Sequence, residues 1–230
     1  MRLQLVGRFA AFDDGDEPIT VTPTGARLLA LLALHRHGLT RGCVGGMLWP
    51  EKNEERATAN LRSALWRLKT TRSIAIVDRE PAVMCLSPEV RVDLDEICRG
   101  HAGDGVAVDR LLCDLLIGWD DPWVWPFRLR WRQTRLHAVD DRCREFVEGH
   151  AYDDAVLLAR RVLAEEPLRE SMLRLLVRAE MERQQTASAV HAIDDYRVRL
   201  QRELGAQVSP RMVELASALT DDIDGTLRIA

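Results

Sequence analysis

Apolar and polar positions change period along this chain, and the changes mark its elements. Residues 2–9 alternate, with Leu3, Leu5 and Phe9 on one face, the two-residue period of a strand. Asp13, Asp14, Gly15 and Asp16 supply turn chemistry before the β-branched run Ile19-Thr20-Val21-Thr22, so a small N-terminal antiparallel sheet is predicted. Thr24 can cap a helix whose apolar positions Leu28, Leu29, Leu31, Leu32 and Leu34 run towards Gly38, a stop residue. A short helix is predicted from about 40 to 49, ended by Pro50, although Gly42, Gly45 and Gly46 each cost about 1 kcal/mol relative to alanine. From 54 to about 71, Leu61, Leu65 and Leu68 fall on one helical face; Arg56, Ala59, Ser63, Trp66, Arg67 and Thr70 point away from it. Two β-branched or apolar runs, 74–77 and 83–86, flank the polar turn 78–81 and read as a hairpin. Sheet, three helices and hairpin is the order of a winged helix-turn-helix. An unrelated α+β domain with the same order remains the alternative on periodicity alone.

After Val90-Arg91-Val92-Asp93-Leu94-Asp95 the pattern is helical, which sets an expected boundary between residues 1–95 and 96–230. Helices are predicted at about 106–116, 127–149, 152–166, 168–184, 186–204 and 210–222. Glu148 to Val156 aligns with Glu182 to Val190 at an offset of 34 residues, the tetratricopeptide period. Helical hairpins of that kind bury their faces only against neighbours.

Composition narrows the partners. The chain has 230 residues, 47% hydrophobic and 30% charged, enough for two modest cores. It has no apolar run near the roughly 20 residues of a membrane span, and its first residues are too short and alternating for a signal peptide; a cytoplasmic location and no membrane partner are expected. The five cysteines, Cys43, Cys85, Cys98, Cys113 and Cys143, show no zinc spacing and read as free thiols packed as small apolar groups. A net charge of −4 argues against non-specific coating of nucleic acid. Its distribution matters more: 13 basic against 12 acidic residues through Asp95 leave +1, and 19 against 24 beyond leave −5. Between Arg56 and Arg72 there is no acidic residue, and Arg62, Arg67 and Lys69 lie in that interval.

Five ordered segments carry a more specific signal: Leu29 to Arg36; Met47-Leu48-Trp49-Pro50; Ala59 to Lys69; Val90 to Leu94; and Gly118 to Trp123 together with the stretch from Glu166 through Ser209-Pro210. On these segments the whole chain resembles the bacterial transcriptional activator domain regulators, the Streptomyces antibiotic regulatory proteins, in their minimal two-domain form. The resemblance implies a mainly α protein: an N-terminal OmpR-like winged helix-turn-helix that binds DNA, then an all-α tetratricopeptide-like domain. It implies double-stranded promoter DNA, RNA polymerase through sigma and other subunits, and a second protomer as partners.

Carried onto this chain, the resemblance makes the helix around Ala59 to Lys69 the recognition helix. Arg67 then holds a position from which a guanidinium reaches the paired acceptors of guanine. Lys69, Arg62 and Arg72 suit phosphates, Asn60 and Ser63 can contact either, and Arg79 in the hairpin turn is the wing residue. For each, a solvated surface charge is the bland alternative. Two departures stand out. The second helix is glycine-rich where relatives carry acidic and branched residues, and Trp66 is larger than the small or basic residues usual there. Trp66 suits either DNA sugars or a protein interface. The cluster Trp119, Trp123, Trp125 and Trp131 reads as packing rather than a ligand cage.

No phosphate loop, dinucleotide fingerprint, metal-binding histidine pair or nucleophile elbow is present, so no enzyme, cofactor or metal is expected. Asp120-Asp121 reads as a turn, Asp153-Asp154 as a helix start, and His35 with His37 as partners for helix-terminal carbonyls. Two functions follow: a promoter-binding activator acting as a dimer, or a protein-interaction adaptor of the same fold with little DNA affinity.

Overall fold

Thr22 accepts a hydrogen bond from the Gly25 amide and opens the first helix, α1 (Pro23–Leu34), with Pro23 in its first turn. A computed structural model describes this and the rest of the fold over residues 1–70, 76–80, 83–98 and 108–227. The cap lies two residues before the expected Thr24, because Pro23 needs no amide partner at a helix start. His35 ends α1, its Nδ1 2.9 Å from the Leu31 carbonyl, the terminal role expected of it.

Strands β1 (Arg2–Gln4) and β2 (Ala10–Phe12) pair antiparallel, and β6 (Arg91–Val92) joins β1 in parallel. The β-branched stretch Ile19 to Thr22 forms no strand; only Pro18 bridges Phe12 and the Ile19 amide bonds Ala11. Prolines at 18 and 23 leave it no ladder to extend. A second sheet orders β3 (Leu39–Thr40), β5 (Val83–Leu86) and β4 (Ile76–Glu80), the last two as the expected hairpin. Gly38 makes this join possible. At φ +89°, a Cβ there would sit 2.7 Å from Val83 Cγ1 and 2.9 Å from the Met84 carbonyl. Helices α2 (Arg41–Leu48) and α3 (Glu54–Thr70) complete the helix-turn-helix over a core of Leu28, Leu31, Leu32, Val44, Leu48 and Leu61.

Past β6 come α4 (Asp93–Cys98) and a single turn, α5 (Val108–Leu111). The predicted helix at 106–116 stops there because the following backbone returns to the N-terminal strand region. Leu5 and Gly7 carbonyls accept from the Leu116 and Ile117 amides, and the Gly7 amide donates to the Asp114 carbonyl. Asp93 anchors the same region: its buried carboxylate accepts from the Leu5, Val6 and Leu94 amides and pairs with Arg110 at 2.5 Å. Long-range backbone pairing of this kind cannot be read from periodicity. It also moves the compact unit's edge: the chain divides into Met1–Arg135 and Leu136–Ala230, inside α6 (Trp125–Glu148), beyond the functional boundary expected near 95.

The second unit continues with α7 (Tyr152–Glu165), α8 (Glu170–Glu182), α9 (Thr186–Leu204) and α10 (Pro210–Leu227). The 34-residue repeat is visible in its turns. His150 and Gln184 both take φ of 60°, and the next amides, Ala151 and Gln185, reach back 2.8 Å to the Phe146 and Glu180 carbonyls. Ala155 and Ala189, matched by the same offset, are both fully buried. Arg169 clamps the start of α8 to α6 through both Asp140 oxygens, at 3.0 and 2.6 Å.

Candidate nucleic-acid interface

The interface is built outward from the underside of α3. Asn53 caps the helix by accepting from the Arg56 amide, and Glu54 and Glu55 complement the positive end of its dipole. Ala57, Leu61 and Ala64 are buried beneath, so the backbone is fixed and the opposite face is committed to solvent. On that face Arg56, Ala59, Arg62, Ser63, Trp66 and Arg67 are exposed, Trp66 by 68%, while Asn60 is half-buried at the edge. Ser63 spends its hydroxyl proton on the Ala59 carbonyl at 3.1 Å. The expected site residues 60–67 thus share one helix. The side chains of Lys69, Arg72 and Arg79 lie outside the described residues.

Arg79 itself stands in β4, not in the turn expected from the sequence. Asp78 pairs with Met84 and Glu80 with Val83, so Arg79 is the extra residue of a β-bulge. A bulge leaves one residue out of the ladder and bends the strand.

The glycine-rich α2 is intact as a helix. Thr40 accepts from the Cys43 amide, and Arg27 donates from Nη2 to the Leu48 carbonyl at 3.0 Å, covering one end of the helix. Arg27 also pairs with Asp121, which accepts from Trp123 Nε1 as well, so this carboxylate is a tie rather than the simple turn residue expected. Sequence spacing offers no clue to a pair 94 residues apart. Gly45 earns its place by close approach: a Cβ there would meet that of Ala57 at 3.3 Å. Gly42 and Gly46 face open space.

Three of the four clustered tryptophans pack as expected. Trp131 is buried and donates to the Cys113 carbonyl; Trp123 meets Trp119 edge-on at 6.1 Å, and Trp119 lies against Phe9. Trp125 is instead 61% exposed, with Arg128 over its ring. Cys85 and Cys143 are core thiols, and burial with the nearby Asp140 pushes Cys143 up to about 12; Cys43, by contrast, is exposed. Asp153 and Asp154 lie in the first turn of α7. Among the described residues no His, Cys, Asp and Glu group has metal-site geometry, and no helix is long and apolar enough to cross a membrane. In the second unit a groove of about 400 Å³ runs past Arg160, Leu176, His191, Tyr196 and Arg199.

Residues 104–220, 117 of the 230, match the family model described as the bacterial transcriptional activator domain. The chain belongs to this family. This is a family of transcription regulators. It is similar to the regulatory protein AfsR of Streptomyces coelicolor, 26% identical over 266 residues, an alignment spanning all of this chain and 26% of that protein. In fold it is similar to Mycobacterium tuberculosis EmbR, solved in complex with a low-affinity phosphopeptide, with a TM-score of 0.76 at 18% identity over 96% of this chain and 65% of that one. The chain spans about a quarter of the length of AfsR and about two thirds of the EmbR chain. The winged helix-turn-helix followed by a helical activator domain, expected from the sequence, is the architecture found.

Proposed function

We propose that this family member is a sequence-specific activator that binds promoter DNA through α3 and the β4–β5 hairpin. Residues 1–95 carry the reading function in this account, and residues 96–230 organise a second protomer on DNA and contacts with RNA polymerase. The observation that carries the reading is the exposed α3 face, in which Arg56, Arg62 and Arg67 surround Trp66 without a carboxylate from Arg56 to Thr70. A helix about 10 Å across fits a major groove about 12 Å wide. Arg67 is assigned to base edges, Arg62, Lys69 and Arg72 to phosphates, Asn60 to either, Ser63, its proton spent on the Ala59 carbonyl, to a base amine as an acceptor only, and Arg79 to backbone contact from the wing.

Selection of bound duplexes from a random or genomic pool tests this. A repeated motif should emerge with wild-type protein and fade with Arg67→Ala, and its affinity should fall steeply with salt. No enrichment from folded protein at low salt would support the adaptor reading instead. The intact α2 removes one motive for that alternative.

A further inference from the structure

We propose that Trp66 is a specificity residue that reads thymine through its C5-methyl group in the major groove. This rests on the DNA-binding function proposed above. At about 100° per residue, Ala59 lies about 20° from Trp66 around α3 and Ser63 about 60°. Arg62 falls about 40° to one side, with Arg56 and Arg67 about 80° and 100° to the other. The indole therefore stands near the centre of the exposed face, with guanidiniums on both flanks. On a helix lying in the groove, the centre of the face meets base edges and the flanks meet the phosphate walls.

The chemistry then selects the base. An indole offers a broad apolar surface and a single N–H donor. Along the major-groove edge the only apolar group is the thymine methyl; guanine, adenine and cytosine present acceptors and amines there. Ser63 does not compete with the indole for that position, because its hydroxyl is turned back onto the Ala59 carbonyl. A protein partner burying this indole would also have to accommodate the exposed Arg56 and Arg62, a demand that a duplex meets with phosphates on both sides. Exposure of 68% is large for a tryptophan, a residue highly buried on average. DNA would remove that surface from water.

Deoxyuridine lacks only the methyl group, so it makes the test specific. On the duplex selected by wild-type protein, each thymine is replaced in turn by deoxyuridine, and wild type, Trp66→Ala and Trp66→Phe are titrated at fixed salt. One thymine in each half-site should cost wild type about fourfold in affinity on losing its methyl, the equivalent of ~0.8 kcal/mol for one buried carbon. The same replacement should cost Trp66→Ala nothing and Trp66→Phe part of the effect. A pool reselected with Trp66→Ala should lose its preference for thymine at that position, whereas Arg62→Ala should bind more weakly and keep it. Circular dichroism of each variant controls for folding. If wild type selects a motif but every deoxyuridine substitution acts alike on wild type and Trp66→Ala, the thymine assignment fails and DNA binding stands. If wild type selects nothing, both fail. If Trp66→Ala binds every duplex as wild type does but loses a protein partner, the indole belongs to that partner.

Discussion

Glu180 is 1% exposed yet ionised, because Arg160 donates to it at 2.6 Å, Ser188 at 3.0 Å and Arg183 at 2.8 Å. Burial alone would raise its pKa; the hydrogen bonds from Arg160 and Ser188 and the charges of Arg160 and Arg183 outweigh that and hold the carboxyl below its ordinary 4.5. A carboxylate with a depressed folded pKa adds stability above its unfolded value, and that contribution is lost as pH falls through the folded one. Arg160 is 58% exposed, so water screens its share. Glu180→Gln should therefore cost about 1–2 kcal/mol at neutral pH, and its gap from wild type should narrow as pH falls below about 4.5. Denaturant unfolding across that range reads the gap; a gap that widened in acid would contradict the assignment. Asp93 carries the opposite sign. Burial outweighs its three amide donors and Arg110 and raises its pKa, so its contribution belongs to the acid side. Neither role was legible in the sequence, since the Asp93 partners Leu5 and Val6 lie 88 and 87 residues away and the Arg160 to Glu180 pair crosses two helices.

At the scale of elements, α2 separates what glycine permits from what it costs. Gly42 and Gly46 have nothing within 4 Å of an added Cβ, so Gly42→Ala and Gly46→Ala should each stabilise the protein by about 0.5–1 kcal/mol. Gly45→Ala should gain less or lose stability against Ala57, and Gly38→Ala should be strongly destabilising. Urea midpoints for the four variants check the order. The bounds of α2 and α3 were legible to within a residue because local signals fix them, the Leu61, Leu65 and Leu68 stripe and Pro50 among them; the Asn53 cap emerged only in the structure. Ile19 to Thr22 and the 106–116 stretch were misread for the opposite reason. Their fate depends on prolines that interrupt a ladder and on amides claimed by the Leu5 and Gly7 carbonyls. The 34-residue spacing did reach the structure, in the paired turns at His150 and Gln184.

Across its full length the chain joins a helix with an exposed basic face to an acidic helical repeat. Family membership was legible from five scattered segments because each marks a local constraint of the winged helix or the repeat. The exposed α3 face was legible from helical period alone, and the structure adds its fixed underside and the turned-in Ser63. The packing edge between Arg135 and Leu136 was not legible, since it depends on the 113–117 segment returning to the N-terminal strand region. Whether α3 faces DNA is decided by titrating the selected duplex with Arg62→Ala and Arg67→Ala beside Arg130→Ala, an exposed arginine on α6. Both α3 variants should bind more weakly, Arg62→Ala should lower the salt slope by about one, and Arg130→Ala should match wild type. Equal affinity of all four proteins would place the DNA surface elsewhere than α3.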